Sequence, residues 1–121
     1  MGYNGKDARI TELLSRTHFY VDPRGYICVH LYTSSQMDAD CFARTFDGNV
    51  SRHKEIFDVS LYHRSKIEKL CLRVVDSQGL EPEFVAIAKL VLLYCRETDP
   101  TKRIVISVVI KAALAPVGSV S

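Results

Sequence analysis

The chain has 121 residues, 47% of them apolar and 25% charged, with a formal net charge of +2. That is the length of one ordinary domain and the balance of a folded globular chain, which excludes disorder as the main state. Six Gly and four Pro without any period exclude a collagen-like or low-complexity chain. The longest apolar runs, residues 90–95 and 84–88, fall far short of the roughly 18–20 residues that cross a bilayer, so no transmembrane segment is expected.

Ile10, Leu13 and Leu14 give residues 6–15 an apolar helical face, with Asn4 available as a cap. Residues 18–22 and 26–33 alternate and are rich in aromatic and β-branched side chains, which predicts two strands. Between them, Asp22-Pro23-Arg24-Gly25 has Asp first, Pro second and Gly fourth, as a type I turn requires; the pair reads as a β-hairpin. Ser35 with Asp38 resembles a capping pair, and Ala39, Phe42, Ala43 and Phe46 follow at helical spacing. Asp47-Gly48-Asn49 stops that helix.

In residues 54–62, Phe57, Val59 and Leu61 alternate with Asp58, Ser60 and Tyr62, which predicts a third strand. Ser65-Lys66-Ile67-Glu68 reads as a capping box opening a helix with Ile67, Leu70, Cys71, Val74 and Val75 on one face, ended by Gly79. Residues 70–74 would also suit a strand; the cap decides for the helix. The next helix starts at Pro82 between Glu81 and Glu83 and ends near Arg96. From Phe84 to Cys95 only Lys89 is polar, so burial on most sides is expected, and Asp99-Pro100 breaks the helix.

Residues 103–110 are β-branched on both faces apart from Ser107, which predicts a covered strand. Ile104, Ile106, Val108 and Ile110 would share one face of it, and Val105 and Val109 the other. An exposed strand of this composition would template aggregation, so it is expected to lie centrally in the sheet or across a subunit interface. The expected order is α-β-β-α-β-α-α-β. This is a single α+β domain over residues 1–121, with a sheet of about four strands flanked by helices and a flexible tail at 116–121.

Chemistry is thinly signalled. The four cysteines (Cys28, Cys41, Cys71, Cys95) lie far apart in apolar segments, and no hydrophobic leader precedes them. Free buried thiols in an intracellular compartment, cytoplasmic or nuclear, are expected, with the sequon Asn49-Val50-Ser51 unused. Gly2 lacks the Ser or Thr at position 6 that myristoylation wants; Lys6 stands there. No Cys or His pair has zinc spacing, and Cys28 with His30 is the only pair placed on one strand face. No nucleophile elbow or phosphate loop is present, and Cys71 falls on an apolar helix face. Asp38 with Asp40, and Glu81 with Glu83, sit at helix starts where the dipole explains them. No catalytic residue, metal or cofactor is assigned.

Two surfaces stand out. The face of the first hairpin that carries His18, Tyr20, Tyr26, Cys28, His30 and Tyr32 has three tyrosines and two histidines. Tyr20, Tyr26, His30 and Tyr32 could stack bases there, unless a second helix layer or a partner covers them. Between Arg52 and Arg73, six cations (Arg52, Lys54, Arg64, Lys66, Lys69, Arg73) outnumber three anions. Such a stretch suits RNA phosphates or an anionic membrane surface, or is simply a solvated face. The overall sequence pI of 8.4 is mild for a nucleic-acid domain.

The leading expectation is therefore a non-enzymatic, self-associating structural or adaptor- or matrix-type protein with a basic stripe, a homo-oligomer that buries its apolar excess through Ile104, Ile106, Val108 and Ile110. A sequence-independent RNA-binding protein is the alternative. A small cysteine- or metal-dependent enzyme is the third reading.

Overall fold

The computed structural model describes residues 5–114. The elements are α1 (Gly5–Leu14), β1 (Thr17–Val21), β2 (Ile27–Thr33), α2 (Gln36–Phe46), β3 (Asn49–His53), β4 (Ile56–Leu61), α3 (Arg64–Asp76), α4 (Pro82–Arg96) and α5 (Pro100–Leu114). The fold is an α+β domain with one antiparallel four-stranded sheet in the order β1-β2-β4-β3. The expected cap Asn4 and the expected tail at 116–121 lie outside the described residues.

The first hairpin forms as its turn residues dictate. Gly25 N–H donates to the Asp22 carbonyl at 2.8 Å, and Asp22 Oδ1 accepts from the amides of Arg24 and Tyr26. Gly25 sits at φ +90°, where a side chain would be strained. In register, Phe19 pairs with Val29 and Val29 with Leu61; Leu31 lies between Thr17 and Val59. These residues form one face of the sheet and join the core with Ile10, Leu13, Phe42, Phe46, Leu70 and Val91 from the helices.

Ser35 caps α2, its Oγ accepting from the Asp38 amide at 3.2 Å. The buried Asp38 carboxylate pairs with both Arg9 and Arg16, tying α1 to α2. After Asp47 closes α2 at φ 56°, Gly48 passes so close to β4 that a Cβ there would lie 2.9 Å from Val59 Cγ1.

Three expectations are corrected. First, the sheet's remaining strand is β3, antiparallel to β4 across a two-residue turn, Lys54-Glu55. Every residue of β3 is exposed, so alternation of burial gives it no signature. Second, α3 starts at Arg64 with His63 as N-cap and no side-chain cap bond, so Ser65 lies inside the helix.

Third, residues 103–110 belong to α5 and not to a strand. The Asp99-Pro100 break is also a start signal: Asp99 Oδ1 accepts from the Thr101 amide at 3.0 Å, and Pro100 takes the first helical position. The β-branched cost to a helix is a few tenths of a kcal/mol per residue, so a good cap and packing override it. Helical geometry splits the expected strand face. Ile110 is buried and Ile106 packs on the core, while Ile104, Val105, Val108 and Val109 are 64%, 58%, 59% and 46% exposed. α4 is also less covered than expected, with Ala88, Val91 and Cys95 buried and Leu93 exposed.

Candidate functional site

Side chains alternate along a strand, so the residues between the core positions of the sheet point away from the helices. On β1 they are His18 and Tyr20; on β2, Cys28, His30 and Tyr32; on β4, Asp58 and Ser60; on β3, Asn49, Ser51 and His53. Tyr20, Tyr32 and Tyr62 remain 42%, 43% and 49% exposed, so the second helix layer considered for this face is absent among the described residues.

His30 is the hub of the face. Its ring stacks on Tyr32 at 5.7 Å between centroids and meets Tyr20 and Tyr62 edge-on at 5.4 Å and 5.8 Å. His18 extends the row, 6.0 Å from Tyr20 and 6.5 Å from Tyr32. His30 Nδ1 lies 2.8 Å from Asp58 Oδ1, and Nε2 lies 3.5 Å from the Tyr62 hydroxyl. A proton on Nδ1 donated to Asp58 leaves Nε2 to accept from Tyr62, so both nitrogens are partnered and the ring plane is fixed.

Burial raises the Tyr62 phenol above its ordinary range, and neighbouring Cys28 and Asp58 add to it; burial and then Asp58 do the same for Tyr32. Both hydroxyls stay neutral donors at physiological pH. The arrangement is a preorganised aromatic surface edged with hydrogen-bonding groups.

Tyr26 stands apart from this row. It follows the turn, has the Arg24 guanidinium 5.6 Å from its ring centroid, and lines a cleft of about 220 Å³ at the end of the sheet with Tyr62, Arg64, Tyr94 and Arg103.

The six sequence-clustered cations are spread over the fold. Arg52 lies over Phe57 at 5.3 Å and donates from Nε to the Lys54 carbonyl, at the β3–β4 turn. Arg64 opens α3 beyond the opposite end of β4, roughly 15–20 Å away at about 3.3 Å per strand residue. Lys66 pairs with Asp47 at 3.2 Å, Lys69 is exposed, and Arg73 is half-buried. Lys66, Lys69 and Arg73 keep their spacing of three and four along α3, while Arg52 and Lys54 stand at the β3–β4 turn.

All four thiols are free. Burial pushes Cys71 far up and Cys95 to about 11, and it also raises Cys28, whose Sγ lies 3.6 Å from the Tyr20 carbonyl. Activation of a nucleophile requires the opposite direction. Among the described residues no three His, Cys, Asp or Glu side chains gather as a metal set, and no described helix is long and apolar enough to cross a membrane.

The sequence reading missed Asp58 and Tyr62 as partners of His30, and Arg103 and Tyr94 at the cleft. Strand alternation already placed Asp58 on the polar face of β4; only the pairing of β4 beside β2 brings it to His30. Comparison with known proteins finds no matching family model, no matching curated protein and no matching solved structure.

Proposed function

We propose that this chain binds nucleic acid through the open face of its sheet, without catalysing a reaction on it. One observation carries the reading: a row of exposed aromatic rings, Tyr20, Tyr32 and Tyr62 around a locked His30, on a sheet face that no described helix covers. Exposed rings are costly to leave in water, and base stacking is the use that tolerates any sequence. Arg24 at one hairpin tip, Lys54 at the other and Arg64 beside Tyr62 supply cations at the rims, where phosphates would pass. Free thiols fit a reducing, intracellular setting for such a partner.

The test is fluorescence anisotropy with single- and double-stranded RNA and DNA of about one helical turn, at two salt concentrations, with anionic vesicles as the competing polyanionic surface. Binding is expected to weaken as salt rises, and Tyr32→Ala is expected to cost about 1–3 kcal/mol of it. Absence of binding to all four forms at low salt overturns the reading.

A second reading, self-association, is favoured by α5. Ile104, Val105, Val108 and Val109 form a single exposed apolar stripe, and a second copy of this chain offers the same stripe in return. Light scattering should then give more than a monomer mass at tens of micromolar, and Val108→Asp should shift it to the monomer without unfolding.

A further inference from the structure

The cleft at the end of the sheet holds two cations, Arg64 and Arg103, that enter no ion pair among the described residues. It opens between the start of β2, the first turn of α3, the end of α4 and the start of α5. Its floor is apolar: Ile27, Ile67, Val91 and Cys95 are all buried. Its walls are Tyr26, Tyr62 and Tyr94, and Arg64 and Arg103 stand among them. The Arg103 guanidinium lies 4.1 Å over the Tyr94 ring and donates to the Glu97 carbonyl at 3.4 Å, so it is held as a plane at the mouth.

Neither guanidinium has a carboxylate partner among the described ion pairs. Both pull the Cys95 thiol downward against its burial, which places their charge over the cleft floor. The acid that acts on that thiol, Glu68, pairs with Arg96 at 2.8 Å. The first turn of α3 also opens here without a side-chain cap.

We propose that this cleft binds a single phosphate monoester carried on a ring, the size of one nucleotide, with the phosphate between Arg64 and Arg103 and the ring against the tyrosines. Guanidinium forks match phosphate oxygens in pairs, and the phenol rings offer stacking faces. At about 220 Å³ the cleft is smaller than the roughly 300–1,000 Å³ of sites for drug-sized ligands, so it takes one ring rather than a dinucleotide. Tyr62 belongs to both the cleft and the aromatic row. The monoester thus has two sources: a free mononucleotide, or the phosphorylated end of a strand lying over the sheet. Only the second source rests on the function proposed above.

Calorimetric titration of the whole chain with uridine 5′-monophosphate, uridine and inorganic phosphate tests the first source. Anisotropy with one oligonucleotide carrying a 5′-phosphate, a 3′-phosphate or neither tests the second. The monophosphate binding at least tenfold tighter than uridine or phosphate supports the cleft as a free-nucleotide site. A tenfold advantage of either phosphorylated oligonucleotide supports it as a strand-end site. Arg64→Gln, at an exposed residue with no side-chain hydrogen bond or ion pair among the described residues, should abolish either advantage while the thermal melt stays unchanged, and Arg103→Lys should reduce it although the charge is kept.

Tyr32→Ala separates the two ideas, since it should weaken oligonucleotide binding and leave the monophosphate untouched. Oligonucleotides that bind regardless of phosphorylation, with no monophosphate binding at millimolar concentration, overturn the cleft and leave the sheet reading standing. Monophosphate binding without oligonucleotide binding does the reverse.

Discussion

Leu31 and Tyr32 are neighbours on β2 and occupy different worlds. Leu31 is fully buried against β1, β4 and the helices; Tyr32 stacks on His30 in the open. The covered face is dense with aliphatic contacts from α1, α2, α3 and α4, and its chemistry is inert. The open face buries far less, yet its central histidine has both nitrogens partnered. Packing explains the first face. Stability alone does not explain the second, because three half-exposed tyrosines gain little by facing water.

Substitutions on the two faces should therefore separate folding from binding. The largest loss is expected from Leu31→Ala, about 2–5 kcal/mol in urea denaturation, since it leaves a cavity where three strands meet. Gly48→Ala comes next, at about 1–3 kcal/mol, because its Cβ would press on Val59, Leu61 and the Ser60 carbonyl of the same covered side.

The buried thiols make a smaller, pH-linked contribution. Cys71 and Cys95 keep their protons in the folded chain after unfolded thiols have lost theirs near their ordinary value of 9.0. The folded state then binds more protons, so stability falls as pH rises from about 9 towards 11. At pH 10 the loss from Cys95 is on the order of 1 kcal/mol or less, allowing for solvent screening. Melts at pH 8 and pH 10 measure it, and Cys95→Ala should reduce the difference while leaving the part owed to Cys71.

The smallest stability effect belongs to the open face. Tyr32→Ala should change unfolding by under about 0.5–1 kcal/mol while costing most of the nucleic-acid affinity. If instead it destabilises as much as Leu31→Ala, the contrast between the faces collapses, and with it the argument that the aromatic row is there to bind.

Much of this was legible in the chain. The first hairpin announces itself because Asp22, Pro23 and Gly25 each fit one turn position, and the core face of α2 shows in the spacing of Phe42 and Phe46. The α+β class follows from such local signals, whereas the count of four strands agrees only because the strand expected at residues 103–110 stood in for β3. β3 was hidden because it buries nothing and turns at Lys54, φ 59°, where a two-residue hairpin would favour glycine or asparagine. α5 was misread because β-branched composition outweighed the Asp-Pro start signal. The site was half legible: parity gives Tyr20, His30 and Tyr32, but the Asp58 and Tyr62 partners depend on which strand lies beside β2, and that is a long-range fact.

The strand order leaves the sheet with two unlike margins. At β1, α5 runs alongside, and Lys111 reaches to within 3.5 Å of where a Cβ on Gly25 would stand. At β3 the outer row of backbone amides and carbonyls has no neighbouring strand among the described residues. Such a row templates further strands, and the usual guard is a positive charge too costly to bury between sheets. Arg52 and Lys54 stand at that margin with His53 between them. Their cations thus serve solubility as well as any partner: they let a bare edge persist beside an aromatic face without the molecules growing into one another.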